Sequence, residues 1–357
     1  MTMRRQQSGE HMSEESAGET RAGSSSAVLD KATRENFPVA PFFLPSYMRQ
    51  GLMAVYGFAR LIDDAGDGDL PDPRGTAELL GVDWQQERDE AAETAFRLAL
   101  LDALDADVDA AFERVLRGSG EGPRHPLIAA LVPVIDEHGL TVEPFRGLIE
   151  ANRVDQRVAT YQTFDDLMGY CELSANPVGR LVLQLAHLAT PERVRWSDSV
   201  CSALQVVEHL QDVAEDRARG RVYLPQQDMK RFGVTERELD APHAGTALRG
   251  LVLFESDRAR ALLDEGAPLI GSVSGRLRVL LAGFSAGGYA ALGAVAAAGY
   301  DVLAGAPKAG KGRLAAEAAR ALLPGRPARG IRPARGTGSG ADRHDDALRR
   351  KEAKGTR

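Results

Sequence analysis

Apolar residues recur three and four apart in eight stretches, 44–62, 93–117, 126–138, 143–160, 164–189, 197–216, 246–265 and 273–304, with Gly or Pro between most of them. No stretch alternates for long as a strand does. Helices of this length joined by short connections predict an all-α helical bundle, and bundles place their ligand sites in the core between facing helices.

The pattern fades at both ends. Residues 1–28 are rich in Ser, Glu and Gly with no apolar period, and from Pro307 the chain runs in Ala, Gly, Pro and Arg. The expected organisation is one domain over 29–306 between disordered tails, 1–28 and 307–357. Of the 357 residues, 44 are Lys or Arg and 51 Asp or Glu, a net charge of −7. Residues 306–357 hold 14 basic against 5 acidic residues, so the body is strongly acidic and the tail basic. The tail has no aromatic residue on which a base would stack, and no nucleic-acid partner is expected.

Cys171 and Cys201 have neither metal-ligand nor disulfide spacing, and the N-terminus lacks the apolar segment of a signal peptide. A cytoplasmic location is expected, alone or in peripheral contact with a membrane. His187 and His209 stand isolated and read as structural.

The polar interruptions carry the chemistry. In Tyr56-Gly-Phe-Ala-Arg60-Leu-Ile-Asp63-Asp64-Ala-Gly-Asp67, helical spacing puts Tyr56, Arg60, Asp63 or Asp64, and Asp67 on one stripe, while Phe58, Leu61 and Ile62 turn away. No basic residue follows until Arg74, so the acids lack the interleaved cations of an ordinary solvated face. A second stripe repeats the spacing of four twice: Glu208, Asp212 and Asp216. Two uncompensated carboxylate faces suit Mg²⁺, which takes hard oxygen ligands and leaves positions for phosphate oxygens.

Two other motifs compete. Gly283-Phe-Ser285-Ala-Gly287 matches the nucleophile elbow of hydrolases, but an elbow needs a strand before it and an acid and a histidine after it. Only His344 follows, and the Gly and Ala residues suit a tightly packed helix. Residues 279–300 carry no charge and are nearly long enough to span a bilayer, yet Gly and Ala dominate them, as in a buried core helix. Pro177, inside a helical pattern, predicts a kink that frees a carbonyl, with Asn176 as a possible dipole toward a ligand.

Together with Glu35-Asn-Phe-Pro-Val-Ala40, Tyr170-Cys171, Ser174-Ala-Asn-Pro-Val-Gly179, Gly220-Arg-Val-Tyr-Leu-Pro225 and Gly299-Tyr-Asp-Val-Leu303, these motifs span about 270 residues in order. The chain resembles the head-to-head isoprenyl diphosphate synthases, the squalene and phytoene synthases, and within them the hopanoid-pathway HpnC group. That resemblance implies an isoprenoid synthase fold around a deep cavity.

Carried over by position, it implies Mg²⁺ ligands at Asp63, Asp64, Asp67, Glu208, Asp212 and Asp216. It implies substrate contacts at Asn36, Phe37, Tyr56, Arg60, Gln205, Arg221, Tyr223 and Tyr289, and catalytic roles for Tyr170, Arg60 and Tyr56. The sequence departs from the wider family at Glu208, commonly asparagine, at Gln211, often arginine, and at Thr160, near which relatives often have a basic residue.

Fewer cations suit an enzyme that handles one diphosphate. The resemblance therefore implies conversion of presqualene diphosphate to hydroxysqualene by water capture, with Mg²⁺ and without NADPH, in association with other squalene-pathway enzymes. Condensation of two farnesyl diphosphates to presqualene diphosphate or squalene is the alternative, and a non-catalytic assembly subunit the third reading.

Overall fold

The computed structural model describes residues 40–323. Within them the chain is helical: α1 Ser46–Asp67, α2 Pro73–Leu80, α3 Glu90–Arg117, α4 Pro126–Ala129, α5 Val132–His138, α6 Glu143–Asp155, α7 Phe164–Ser174, α8 Asn176–Leu185, α9 Pro191–Gln211, α10 Val213–Ala218, α11 Gln226–Phe232, α12 Glu236–Leu239, α13 Thr246–Gly266, α14 Pro268–Gly271, α15 Gly275–Ala297 and α16 Lys311–Leu322. No strand occurs among the described residues; an isolated bridge joins Thr160 and Val222. The all-α expectation holds.

Local chemistry sets many of the ends. Asp89 caps α3 by accepting from the Ala92 amide at 2.8 Å, acids occupy its first turn and arginines its last, and Gly118 stops it at φ 65°. A reciprocal capping box between Thr163 and Asp166 starts α7. The pattern over 164–189 is two helices rather than one bent helix: α7 stops at Ser174 and Pro177, in the first turn of α8, starts the second. Asn176 is buried there and accepts a hydrogen bond from Ser202 Oγ at 3.0 Å, tying α8 to α9. It is thus a packing residue, not a dipole aimed at a ligand. Gly179 allows that approach, since a Cβ on it would collide with Ser197 and Cys201.

The buried side chains form two clusters. The first joins α1 and α3 to α6, α8 and the start of α15, with Phe58, Leu101, Leu104, Phe145 and Ile149 fully buried. The second gathers α7, α9, α13 and the end of α15 with the 222–239 segment, around Leu210, Leu248, Leu251 and Leu263.

α15 carries Ser285 at its middle, 3% exposed and with no strand leading to it, so the hydrolase elbow is absent from this fold. Among the described residues α15 is also the one helix long and apolar enough to cross a membrane, and 56% of its most apolar window is buried within the domain. α16 lies along it. Arg313 packs against Gly293, and Arg278 donates to the Leu322 carbonyl at 3.0 Å. The disordered tail expected from Pro307 is therefore corrected: residues 311–322 are helical because α15 offers a small-residue surface to pack on. Residues 1–28 and 324–357 lie outside the described residues.

Candidate functional site

α1 orients the first acidic stripe by burying the opposite face. Phe58, Leu61 and Ile62 are at most 1% exposed, and Phe58 packs edge-on to Phe145 at 5.1 Å. Burial of each such side chain stabilises by about 1.5–3 kcal/mol, enough to fix the helix's rotation. Phe58 thus belongs to the core.

On the other face α6 grips the end of the helix. Asn152 donates to Asp63 Oδ1 at 3.1 Å, and Gln156 donates to the Gly66 carbonyl at 2.9 Å. Gly66 is required for this contact, because a Cβ there would collide with Asn152 Oδ1. Asp63 keeps solvent-exposed surface with protein walls close around it. Those walls push its carboxyl up to about 6, against the opposing hydrogen bond from Asn152 and the charge of Arg60.

The adjacent aspartates take different positions. Asp64 is 1% exposed and pairs with Arg60 Nη2 at 2.8 Å. Its expected place among the metal ligands is corrected: one residue's rotation along the helix turns it under the stripe, where it fixes the guanidinium. Asp67 receives Arg221 at 3.4 Å, and Tyr56 lies half-buried one turn before Arg60.

The second stripe is carried across a helix junction. Glu208 is exposed on the last turn of α9, Asp212 is the residue between α9 and α10, and Asp216 lies on α10. Val206, Val207, Leu210 and Val213 bury the other side. Burial first, then the neighbouring Asp216 and Glu215, pushes the Asp212 carboxyl above its ordinary range. The charge of Lys308 counters that shift, and Gln211 donates to the Pro307 carbonyl, so residues 307–308 run beside the second motif.

A cluster of rings lies next to both stripes. The segment after α10 pairs with residues 159–162, the Val222 amide donating to the Ala159 carbonyl at 2.8 Å and the Gln226 amide to the Tyr161 carbonyl at 2.9 Å. This pairing stacks Tyr223 on Tyr161, with centroids 5.7 Å apart, and leaves His209 flat against the other side of Tyr223 at 3.7 Å. Tyr170 packs against Tyr161 at 5.4 Å and Tyr223 at 5.8 Å.

Asp155, at the end of α6, is the acceptor at the centre. The Tyr170 hydroxyl donates to its Oδ2 at 2.8 Å and the Tyr223 hydroxyl to its Oδ1 at 3.5 Å. Burial pushes the Asp155 carboxyl up, and Arg221 works against that. Arg221 therefore sits between Asp155 and Asp67 and joins the ring cluster to the first stripe, while His209 joins it to the second through Asp216 Oδ2, 3.8 Å from Nδ1. The Gln205 side-chain amide meets His209 Nε2 at 3.2 Å, so both ring nitrogens are engaged, one by α9 and the other facing Asp216.

The structure thus brings together Asp63, Asp67, Arg221, Tyr170, Tyr223, Gln205 and Asp216 as expected from sequence. Tyr289 goes elsewhere: its hydroxyl donates to Asp264 at 2.6 Å beside Arg260. Its expected contact with the phosphates is corrected, since α15 turns it toward α13. Asn36 and Phe37 lie outside the described residues.

Sequence reading missed Asp155, Asn152 and Tyr161, and took His209 for structural. His209 had a signal, its place between Glu208 and Asp212; Asp155 had none in its local sequence.

Residues 30–315 match the family model described as squalene/phytoene synthase. The hydroxysqualene synthase of Zymomonas mobilis is 32% identical over 236 residues, 65% of this chain and 69% of that protein. The 15-cis-phytoene synthase of Synechococcus elongatus is 29% identical over 243 residues, 65% and 70% of the two chains. The crystal structure of squalene synthase HpnC from Alicyclobacillus acidocaldarius superposes with a TM-score of 0.63 at 36% identity, covering 79% of this chain and 96% of that one.

Proposed function

Because the chain belongs to the squalene/phytoene synthase family, we propose that it ionises presqualene diphosphate and lets water capture the cation, releasing hydroxysqualene and diphosphate. The observation that carries this reading is the joining of both acidic stripes, through Arg221 and His209, to one cluster of tyrosines around Asp155. Similarity to a named hydroxysqualene synthase and to HpnC supports the choice of substrate.

The residues fit Mg²⁺. Asp63, Asp67, Glu208, Asp212 and Asp216 offer only carboxylate oxygens, and burial first, then neighbouring acids, raises the Asp63 and Asp212 carboxyls, a cost that a bound cation would offset. Among the described residues no three such side chains stand close enough to share one ion, so a bound Mg²⁺ would take its remaining ligands from water and substrate phosphates. Bound there, Mg²⁺ would supply Lewis-acid neutralisation of the leaving diphosphate.

The chain's own groups do the rest. Arg60, held from beneath by Asp64, and Arg221 present guanidinium donors to diphosphate oxygens from two sides. The apolar clusters behind the stripes keep bulk water out. Tyr223 has its faces covered by Tyr161 and His209, so Tyr161 and Tyr170 are the rings of this cluster that would stabilise a cation, by about 0.5–2 kcal/mol each where it meets them.

Purified protein with Mg²⁺ and no reductant, given presqualene diphosphate and farnesyl diphosphate separately, tests the reading by mass spectrometry of the products. Hydroxysqualene from presqualene diphosphate alone is expected. Turnover of farnesyl diphosphate would assign the chain to the condensing members instead, and turnover of neither would leave it without this activity.

A further inference from the structure

Forming an alcohol from a carbocation and water, or a cyclopropane from two prenyl chains, leaves one proton to be taken away. The acceptor is a base at the site, either the released diphosphate or a side chain. Among the groups beside the tyrosines, Arg221 has no basic electron pair to offer. His209 is engaged at both ring nitrogens, Nε2 with Gln205 at 3.2 Å and Nδ1 3.8 Å from Asp216 Oδ2. The acids of the two stripes face the expected cation. Asp155 lies within the field of Arg221 and Asp67 and is the carboxylate at which two tyrosine hydroxyls point.

We propose that Asp155 is the positioning partner and final proton acceptor of Tyr170, acting through the 2.8 Å hydrogen bond between the Tyr170 hydroxyl and Asp155 Oδ2. This rests on the reading that the site ionises a prenyl diphosphate. It holds whichever of the two substrates is used.

In the water-capture reaction the water oxygen forms a bond to the cationic carbon. One of its O–H bonds then breaks, that proton moves to the Tyr170 oxygen, and the proton already on Tyr170 moves to Asp155 Oδ2. Tyr170 ends as a phenol and Asp155 as a neutral acid that returns the proton to solvent after product leaves.

Three observations support the relay. Burial and the nearby Asp155 charge hold the Tyr170 hydroxyl well above its ordinary pKa, so it rests as a phenol and donates the hydrogen bond to Asp155. Arg221 on one side and Asp67 beyond it set the field at Asp155, with His209 on the remaining side. The Tyr161 hydroxyl, 94% buried by its 6% exposure and packed against Tyr170, meets no hydrogen-bond partner among the described residues. It is a polar handle that a bound water can satisfy next to the relay.

The test compares wild type with Asp155→Asn, Asp155→Glu, Tyr170→Phe and the Asp155→Asn/Tyr170→Phe double variant. It measures kcat, KM and the affinity for unreactive farnesyl thiodiphosphate with Mg²⁺. Asp155→Asn keeps an oxygen that accepts from Tyr170 but cannot take its proton, so kcat is expected to fall by about 10²–10⁴-fold. KM and analogue affinity should stay within about threefold, Asp155→Glu should recover part of kcat, and the double variant should be no slower than the slower single one.

A kcat for Asp155→Asn within threefold of wild type, or losses that multiply in the double variant, would overturn the proposal and leave the wild-type reaction standing. If wild type binds the analogue but turns over neither substrate, the functional reading falls and takes this proposal with it.

Discussion

The two acidic helices share a spacing of four and little else. On α1 the helix runs unbroken to Asp67, and each acid has a partner from a different place: Asp63 takes Asn152, Asp64 takes Arg60 and Asp67 takes Arg221. On the second, the helix breaks at Asp212, and Asp216 stands 3.8 Å from His209 Nδ1. One linear pattern thus yields a braced face and a jointed one. The first face is held by side chains from α1, α6 and the segment after α10, while the second turns at a helix junction. Repeating a motif does not repeat its environment.

The largest expected effect separates the two faces directly. Asp67→Asn and Asp212→Asn should each slow turnover by about 10²–10³-fold, the usual loss when one electrostatic contact to a developing charge is removed. Asp67→Asn should also raise KM, because Arg221 loses its anchor; Asp212→Asn should leave KM nearly unchanged. Steady-state kinetics on the preferred prenyl diphosphate measures both, and equal KM values in the two variants would erase the contrast.

Acid and alkali should weaken the two apolar clusters in opposite directions. His125, beside the first cluster, is 6% exposed, and its Nδ1 accepts from the Leu127 amide at the start of α4. Burial pushes it down to about 4 from 6.5. The folded state therefore resists a proton that the unfolded chain accepts, and stability is lost as the pH falls from 6.5 toward 4.

Glu255, in the second half, is 1% exposed, and burial with the nearby Asp228 pushes it up to about 7 from 4.5. Here the folded state keeps a proton that the unfolded chain releases, so stability present below 4.5 is lost as the pH rises to 7. Each contribution is about 3 kcal/mol at most. Urea unfolding from pH 4 to 8 should show His125→Asn flattening the acid side and Glu255→Gln the neutral side. Unchanged slopes would show that neither group titrates differently on folding.

The smallest effect sharpens the bracing itself. Gly66→Ala drives Asn152 away from Asp63. Overpacking of this kind costs about 1–3 kcal/mol, partly offset by about 1 kcal/mol of helix propensity. A net loss near 1 kcal/mol by urea unfolding is expected, and a gain in stability would mean that α6 yields without cost.

Much of the fold was legible because helix periodicity is local. The eight apolar stretches each contain observed helix, and both acidic stripes could be read from residues three and four apart. Where two helices stand in place of one, at Ser174 and Asp212, the apolar pattern runs straight through, since it records which face is buried and not whether the axis continues.

Neighbouring residues were harder to separate. Asp63 and Asp64 are equivalent in the sequence, and only the packing of Phe58 against Phe145 sets the rotation that opens one and buries the other. The helix at 311–322 was hidden in a composition that reads as tail, because its stability comes from α15 beneath it.

The sequence by itself determined that the chain is all-α, that it carries two acidic faces, and which family it resembles, since all three are written in residues close along the chain. Tertiary structure alone decided the centre of the site. Asp155 meets Tyr170 across 15 positions and Tyr223 across 68, and Arg221 reaches Asp67 across 154. No local pattern encodes those meetings, because they depend on how separately buried helices come to rest against one another.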